Sequence, residues 1–206
     1  AAHRPLPPSP PRRSSDLRGS FSLSRRFADK AIVDLKKSIA LDPNEIEPIQ
    51  FLGLAHVAKK EYQQAIAAFD KALKLKPESS DVYNNRGFTF LQAKQFDKAL
   101  KDFQQAIKLN TESVNAYNNM GLTYFAMEDY RSSASSFTKA IERSPNTPNF
   151  YRQRREAYLK LGMQSQADAD EDKLTWLKQL AVLNIALRSG ERPAGKECRY
   201  RWSPCQ

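Results

Sequence analysis

Along most of the chain apolar residues recur at intervals of three and four, and from Ile46 the pattern restarts every thirty-four residues. The stretch YNNRGFTF, Tyr83 to Phe90, returns as YNNMGLTY, Tyr117 to Tyr124. Counting units from Ile46, Ser80, Val114 and Pro148, position 4 is Ile49, Tyr83, Tyr117 and Tyr151. Position 8 is Gly53, Gly87, Gly121 and Arg155, and position 11 is His56, Phe90, Tyr124 and Tyr158. Position 20 is Ala65, Ala99, Ser133 and Ala167; position 24 is Phe69, Phe103, Phe137 and Glu171; position 27 is Ala72, Ala106, Ala140 and Leu174. A fixed period of this length marks a repeat array.

Tyr83, Gly87 and Phe90 share one helical face, as do Ala99, Phe103 and Ala106, so each unit is expected to be two amphipathic helices. In the second unit they are predicted over 81–93 and 96–109, with Ala93-Lys94-Gln95 as the turn. Glycine inside a helix costs about 1 kcal/mol relative to alanine. Three at one position imply a close approach between the two helices of a unit. Upstream, the segment from Phe27 to Pro43 reads as the second helix of a preceding unit, with Ala31, Leu35 and Pro43 in register; its first helix is not recognisable. Downstream, Arg155 and Glu171 break the pattern, so the array is expected to stop there. A single helix is predicted over 164–187, where Leu174, Leu177, Leu180, Ala181 and Leu187 form an apolar stripe beside Trp176. That helix would cover the end of the stack, as a terminal repeat must.

These spaced positions resemble the tetratricopeptide repeat, from Ile46 to about Leu174. The resemblance implies an all-α fold, a right-handed superhelical solenoid of antiparallel helix pairs with a long C-terminal capping helix. It also implies a concave groove, lined by first helices, that holds peptides. Positions 2, 5, 6, 9, 12 and 13 of the first helix would face the ligand, and the candidate residues stand at 5, 6, 9 and 12. Those positions are occupied by Asn84 and Asn118, Asn85 and Asn119, Phe88 and Leu122, and Leu91 and Phe125, with Leu54 and Val57 beside them. The amides offer donors and an acceptor to an extended main chain. The six apolar side chains would form an unusual open stripe unless a ligand or a second copy of the chain covers it. Position 2 is Glu47, Asp81, Asn115 and Asn149, which does not support the family's basic clamp for carboxylate tails. The expected function is therefore a non-catalytic scaffold binding a protein or peptide. The alternative is a regulatory or substrate-recruiting segment of a longer enzyme or assembly protein.

Composition narrows this further. Of the net charge of +10, residues 1–26 carry +5 and residues 188–206 carry +3, so the patterned region is nearly neutral and no nucleic-acid partner is expected. No apolar run reaches the roughly 18–20 residues that cross a bilayer, so no membrane partner is expected. Cys198 and Cys205, the only cysteines, lie near the C-terminus, which suits a reducing compartment and a cytoplasmic location. No catalytic, metal or cofactor constellation is recognisable. His56, at a position elsewhere held by aromatic residues, reads as a packed residue rather than a ligand. The acidic run Asp168 to Asp172 reads as a solvated face. Residues 1–24 hold five prolines and no period, so they read as a disordered tail. Arg/Ser-rich and acid-poor, they also faintly resemble an organellar transit peptide. The hexapeptide RRSSDL further resembles a translated sequencing adapter, which would make residues 1–17 artefactual. The array with its cap is assigned to 25–187, and residues 188–206 to a disordered basic tail.

Overall fold

A computed structural model of the protein describes residues 14–189, with side chains described over 27–183. All regular structure among the described residues is helical. The chain divides into two compact units, residues 1–116 and 117–206.

The first unit contains α1 (Ser14–Leu41), α2 (Ile46–Ala58), α3 (Tyr62–Leu75), α4 (Ser80–Gln92) and α5 (Phe96–Leu109). Neighbours in sequence pack on one another from α1 through α5, and α2 also touches α4. The turn predicted at 93–95 is present, and α5 has the predicted bounds. Its core is built at positions 4, 20, 24 and 27: Ile49, Ala65, Phe69 and Ala72 are essentially inaccessible, with Ala68, Leu73 and Val82 completing the cluster. Burying a phenylalanine this completely contributes about 1.5–3 kcal/mol.

The second unit contains α6 (Val114–Ala126) from Tyr117 onward, α7 (Tyr130–Arg143), α8 (Pro148–Lys160) and α9 (Gln164–Ser189). Phe137 and Ala140 are again fully buried. Helix α9 starts where predicted and packs on α8, with Ala167, Leu174 and Leu177 buried. The expected stripe is covered only in part. Leu180 is half-buried, while Trp176, Ala181, Val182 and Leu183 are exposed, and the side chain of Leu187 lies outside the described residues.

The position-8 glycines have a specific cause. A Cβ built on Gly53, Gly87 or Gly121 would lie 2.6–2.7 Å from the ring of Phe69, Phe103 or Phe137 respectively, so the position-24 ring of each unit occupies the space of the missing side chain. In the fourth unit, where arginine and glutamate replace the pair, Arg155 Nε instead meets Glu171 Oε2 at 3.1 Å. Helix pairs are joined by one turn type throughout. Lys60, Lys94, Glu128 and Gly162, all at position 15, have φ between 58° and 71°. The next amide donates to the position-11 carbonyl at 2.8–3.0 Å in all four turns, as in a Schellman closure.

One boundary differs from expectation. Helix α1 begins at Ser14, inside the segment assigned to the 1–24 tail. The reason is that Pro5, Pro7, Pro8, Pro10 and Pro11 all precede it, so nothing forbids a helix from Ser14 onward. The remainder of that tail, most of the 188–206 tail and both cysteines lie outside the described residues.

Candidate functional site

Asn84, Asn85, Phe88 and Leu91 lie on α4 in the first unit, and Asn118, Asn119, Leu122 and Phe125 lie on α6 in the second. All eight are half-buried. Because positions 4, 8 and 11 point toward the partner helix, positions 5, 6, 9 and 12 fall on other faces of the same helix. The Asn118 amide donates to Asn119 Oδ1 at a long 3.4 Å, and neither Asn84 nor Asn119 is free of intrachain partners. The backbone carbonyls of Asn85 and Asn119 accept from the buried hydroxyls of Thr89 and Thr123, both at 2.8 Å.

The expected stripe of six open apolar side chains needs correction. Val57 packs against the core cluster of the first unit, and Phe125 meets Tyr130 edge-on with centroids 5.2 Å apart. Phe88, Leu91 and Leu122 are half-buried. Of the six, Leu54 on α2 is open, at 39% exposure, and Phe51 on the same helix, outside the expected stripe, is 58% exposed. Phe51 stands at position 6, where the next two units carry asparagine, and that break in chemistry is the sequence signal for it.

A second constellation was not visible in the thirty-four-residue pattern. Arg86, at position 7, makes a bidentate contact to Asp102 (Nε to Oδ2 2.8 Å, Nη2 to Oδ1 2.7 Å), and its Nη1 reaches Asp70 on α3 at 2.6 Å. Arg154, also at position 7, repeats this geometry: Nε and Nη2 hold Asp170 at 3.0 and 2.6 Å, and Nη1 donates to Thr138 on α7 at 2.9 Å. Each arginine thus ties positions 7 and 23 of its own unit to position 25 of the unit before. The paired fork geometry is the strong form of this interaction. Hydrogen bonding to Asp102 holds the Arg86 pKa above its ordinary value. The intervening units carry Leu52 with Ala68 and Met120 with Ser136 at the same two positions, so the clamp alternates with uncharged pairs. The acidic run is therefore not wholly a solvated face. Asp170 is 2% exposed because Arg154 reaches it, whereas Asp168, Glu171 and Asp172 are exposed.

His56 is buried, as expected of a packed residue, but it is also tied to Glu61, whose Oε2 lies 2.6 Å from its Nδ1. Lys59 contacts Glu61 and Asp29, both at 2.7 Å, and so links α1 to the α2–α3 turn. Lys59 and His56 hold the Glu61 carboxyl below the ordinary carboxylate value. Among the described residues no group of three or more His, Cys, Asp or Glu is placed to hold a metal ion, and no helix is long and apolar enough to cross a membrane.

Comparison with known proteins agrees with this geometry. A sequence model of the tetratricopeptide repeat matches residues 80–112, a second described as a TPR repeat matches 53–94, and a third, again of the tetratricopeptide repeat, matches 114–147. No curated protein matches the chain. Among solved structures, a crystal structure of MamA is similar at 25% identity and a TM-score of 0.69, over 81% of this chain and 94% of that one. MamA 41-end from Desulfovibrio magneticus RS-1 has a TM-score of 0.66 at 22% identity, over 77% and 95%. The first TPR of Spaghetti (RPAP3), bound to the HSP90 peptide SRMEEVD, has a TM-score of 0.56 at 21% identity, over 59% of this chain and 96% of that one. The fold class is thus an all-α solenoid of helix pairs, and the chain is a tetratricopeptide repeat protein by its units over residues 53–147.

Proposed function

We propose that the chain is a non-catalytic protein-interaction scaffold whose first helices take an extended peptide or partner segment. The observation that carries this reading is the apolar pair Phe51 and Leu54, 58% and 39% exposed on α2, a helix in contact with α4 and its Asn84, Asn85, Phe88 and Leu91. Exposed apolar groups on a helix that touches the asparagine-bearing one suit a ligand that offers both side chains and main-chain amides. A micromolar complex needs about 8 kcal/mol, and an amide-to-backbone hydrogen bond supplies only about 0.5–1.5 kcal/mol net. The apolar residues therefore carry most of the affinity, while the asparagines set register and direction. The similar TPR of Spaghetti is bound to an acidic peptide. Here the first-turn residues Glu47 and Asp81 are acidic, so this chain disfavours a ligand of that charge.

Selection of binders from a random decapeptide library, followed by titration calorimetry, tests the reading. Phe51→Ser with Leu54→Ser should weaken a selected peptide at least tenfold, and Asn85→Ala, or Asn119→Ala for a peptide held on α6, should each weaken binding by about 0.5–1.5 kcal/mol, the worth of one such bond. SRMEEVD should bind more weakly than the selected sequences. Selected peptides indifferent to all four substitutions would place binding elsewhere, and an empty selection would remove the proposal.

A further inference from the structure

The arginine clamp provides a second test of register, independent of the apolar pattern. Extended one unit upstream of Ile46, position 7 falls on Arg18, position 8 on Gly19 and position 23 on Asp34. Arg18, Arg86 and Arg154 are sixty-eight residues apart, as are Asp34, Asp102 and Asp170. Gly19 also continues the thirty-four-residue series Gly53, Gly87, Gly121. Both series therefore run through the segment that showed no first helix by its apolar residues.

Helix α1 meanwhile leaves open the face that the complete units close. At position 20, Ala65, Ala99, Ser133 and Ala167 are fully buried, whereas Ala31 is exposed. At position 24, Phe69, Phe103 and Phe137 are fully buried, whereas Leu35 is half-buried. At position 27, Ala72, Ala106 and Ala140 are fully buried, whereas Ser38 is half-buried. The Asp34 side chain is 60% exposed and pairs with the exposed Lys37 at 3.7 Å in its own helix, while Asp102 and Asp170 are buried under their arginines.

We propose that residues 14–24 are the first helix of a further, N-terminal repeat unit, which folds back on residues 27–41 and covers this face. In that state Arg18 clamps Asp34, and Gly19 admits the side chain of Leu35. The hinge lies at Arg25 and Arg26, positions 14 and 15, where the complete units place their left-handed turn residue. In the structure the same residues lie within the continuous helix α1. Positions 4 and 11 are Ser15 and Ser22, where the other units carry isoleucine or tyrosine and histidine or an aromatic residue, so the closed form is weakly anchored and exchanges with the extended one.

Spin labels on Asp16→Cys and Lys37→Cys, in the full chain carrying Cys198→Ser and Cys205→Ser, separate the two forms by pulsed electron resonance. A straight helix places the labelled backbones about 32 Å apart at 1.5 Å per residue. A folded-back pair brings the helix axes to roughly 8–10 Å and the label distance below about 20 Å. The expected result is a short-distance population that shrinks in Gly19→Val, where a branched side chain meets Leu35, and in Arg18→Ala. A single population near the straight-helix distance would overturn the proposal. So would a short distance indifferent to both substitutions, or one lost on dilution with unlabelled chain, which would indicate a second copy as the covering partner.

Discussion

Replacing the Arg86–Asp102 pair is the most direct probe of what holds successive helix pairs together. The Asp102 side chain is 8% exposed, so Arg86→Met leaves an almost buried carboxylate without its bidentate partner. Breaking a buried ion pair from one side costs about 3–5 kcal/mol. Arg86 itself is 20% exposed and water can reach part of the site, so the lower figure, about 3 kcal/mol, applies. With a urea m-value of about 2 kcal/mol/M, the unfolding midpoint should fall by roughly 1.5 M. Asp102→Ser should cost less, because Arg86 keeps Asp70 at 2.6 Å. The double replacement installs the pair that the third unit already carries at these positions, Met120 and Ser136. With no buried charge left behind, and Asp70 46% exposed to water, it should lie within about 1 kcal/mol of the parent, since uncharged residues of similar volume can substitute for a buried pair at little loss. Urea unfolding followed by circular dichroism on the four proteins closes the cycle. Strictly additive losses would show that the two side chains are uncoupled and that the clamp contributes nothing as a pair.

Gly87→Ala should destabilise by about 1 kcal/mol although alanine is the better helix former, because its Cβ would lie 2.7 Å from the buried Phe103 ring; a raised melting temperature would refute this. Lys94→Gly should stabilise by about 0.5–1 kcal/mol by relieving φ of 58°, and Gly162→Ala, at φ 71° with open space around it, should lose about 1 kcal/mol from the backbone alone; thermal melts decide both. Glu61 has its folded pKa depressed, so its contribution is present above the ordinary value of 4.5 and is lost as pH falls through the lower folded value. Glu61→Gln should therefore flatten the acid limb of a melting profile between pH 6 and 3, and an unchanged limb would remove Glu61 as its source.

The helix pairs, their turns and the start of α9 were legible because glycine, alanine and phenylalanine recur with the period of one unit, and burial at positions 8, 20 and 24 permits few alternatives. The clamp was not legible in the same way. Its residues recur every second unit, and an arginine and an aspartate sixteen positions apart look like surface charge until two helices bring them together. Asp170 was lost in an acidic run for that reason. The open apolar residues were legible only in part: Leu54 and Phe51 hold ligand-facing positions and are open, but the repeat frame alone gave the other five stripe residues the same exposure. Val57 and Phe125 find partners within the fold, while Phe51 breaks the asparagine column and stays open. The helical start at Ser14 was missed because proline content was averaged over residues 1–24, although the prolines end at Pro11.

The alternation of clamped and uncharged pairs bears on how an array of near-identical units finds its correct partners while folding. Neighbouring helices share their glycine, alanine and phenylalanine positions, so apolar packing alone would allow a first helix to mate with the second helix of the next unit. Charge forbids that slip. If α4 paired with α7, Arg86 would face Ser136 rather than Asp102, and if α6 paired with α5, Asp102 would be buried opposite Met120. Either mistake strands a charge at a penalty of several kcal/mol. Every other unit thus acts as a checkpoint, and a displacement by one unit is penalised at once. Only a shift by two units, which requires a much longer loop, would satisfy the charges again.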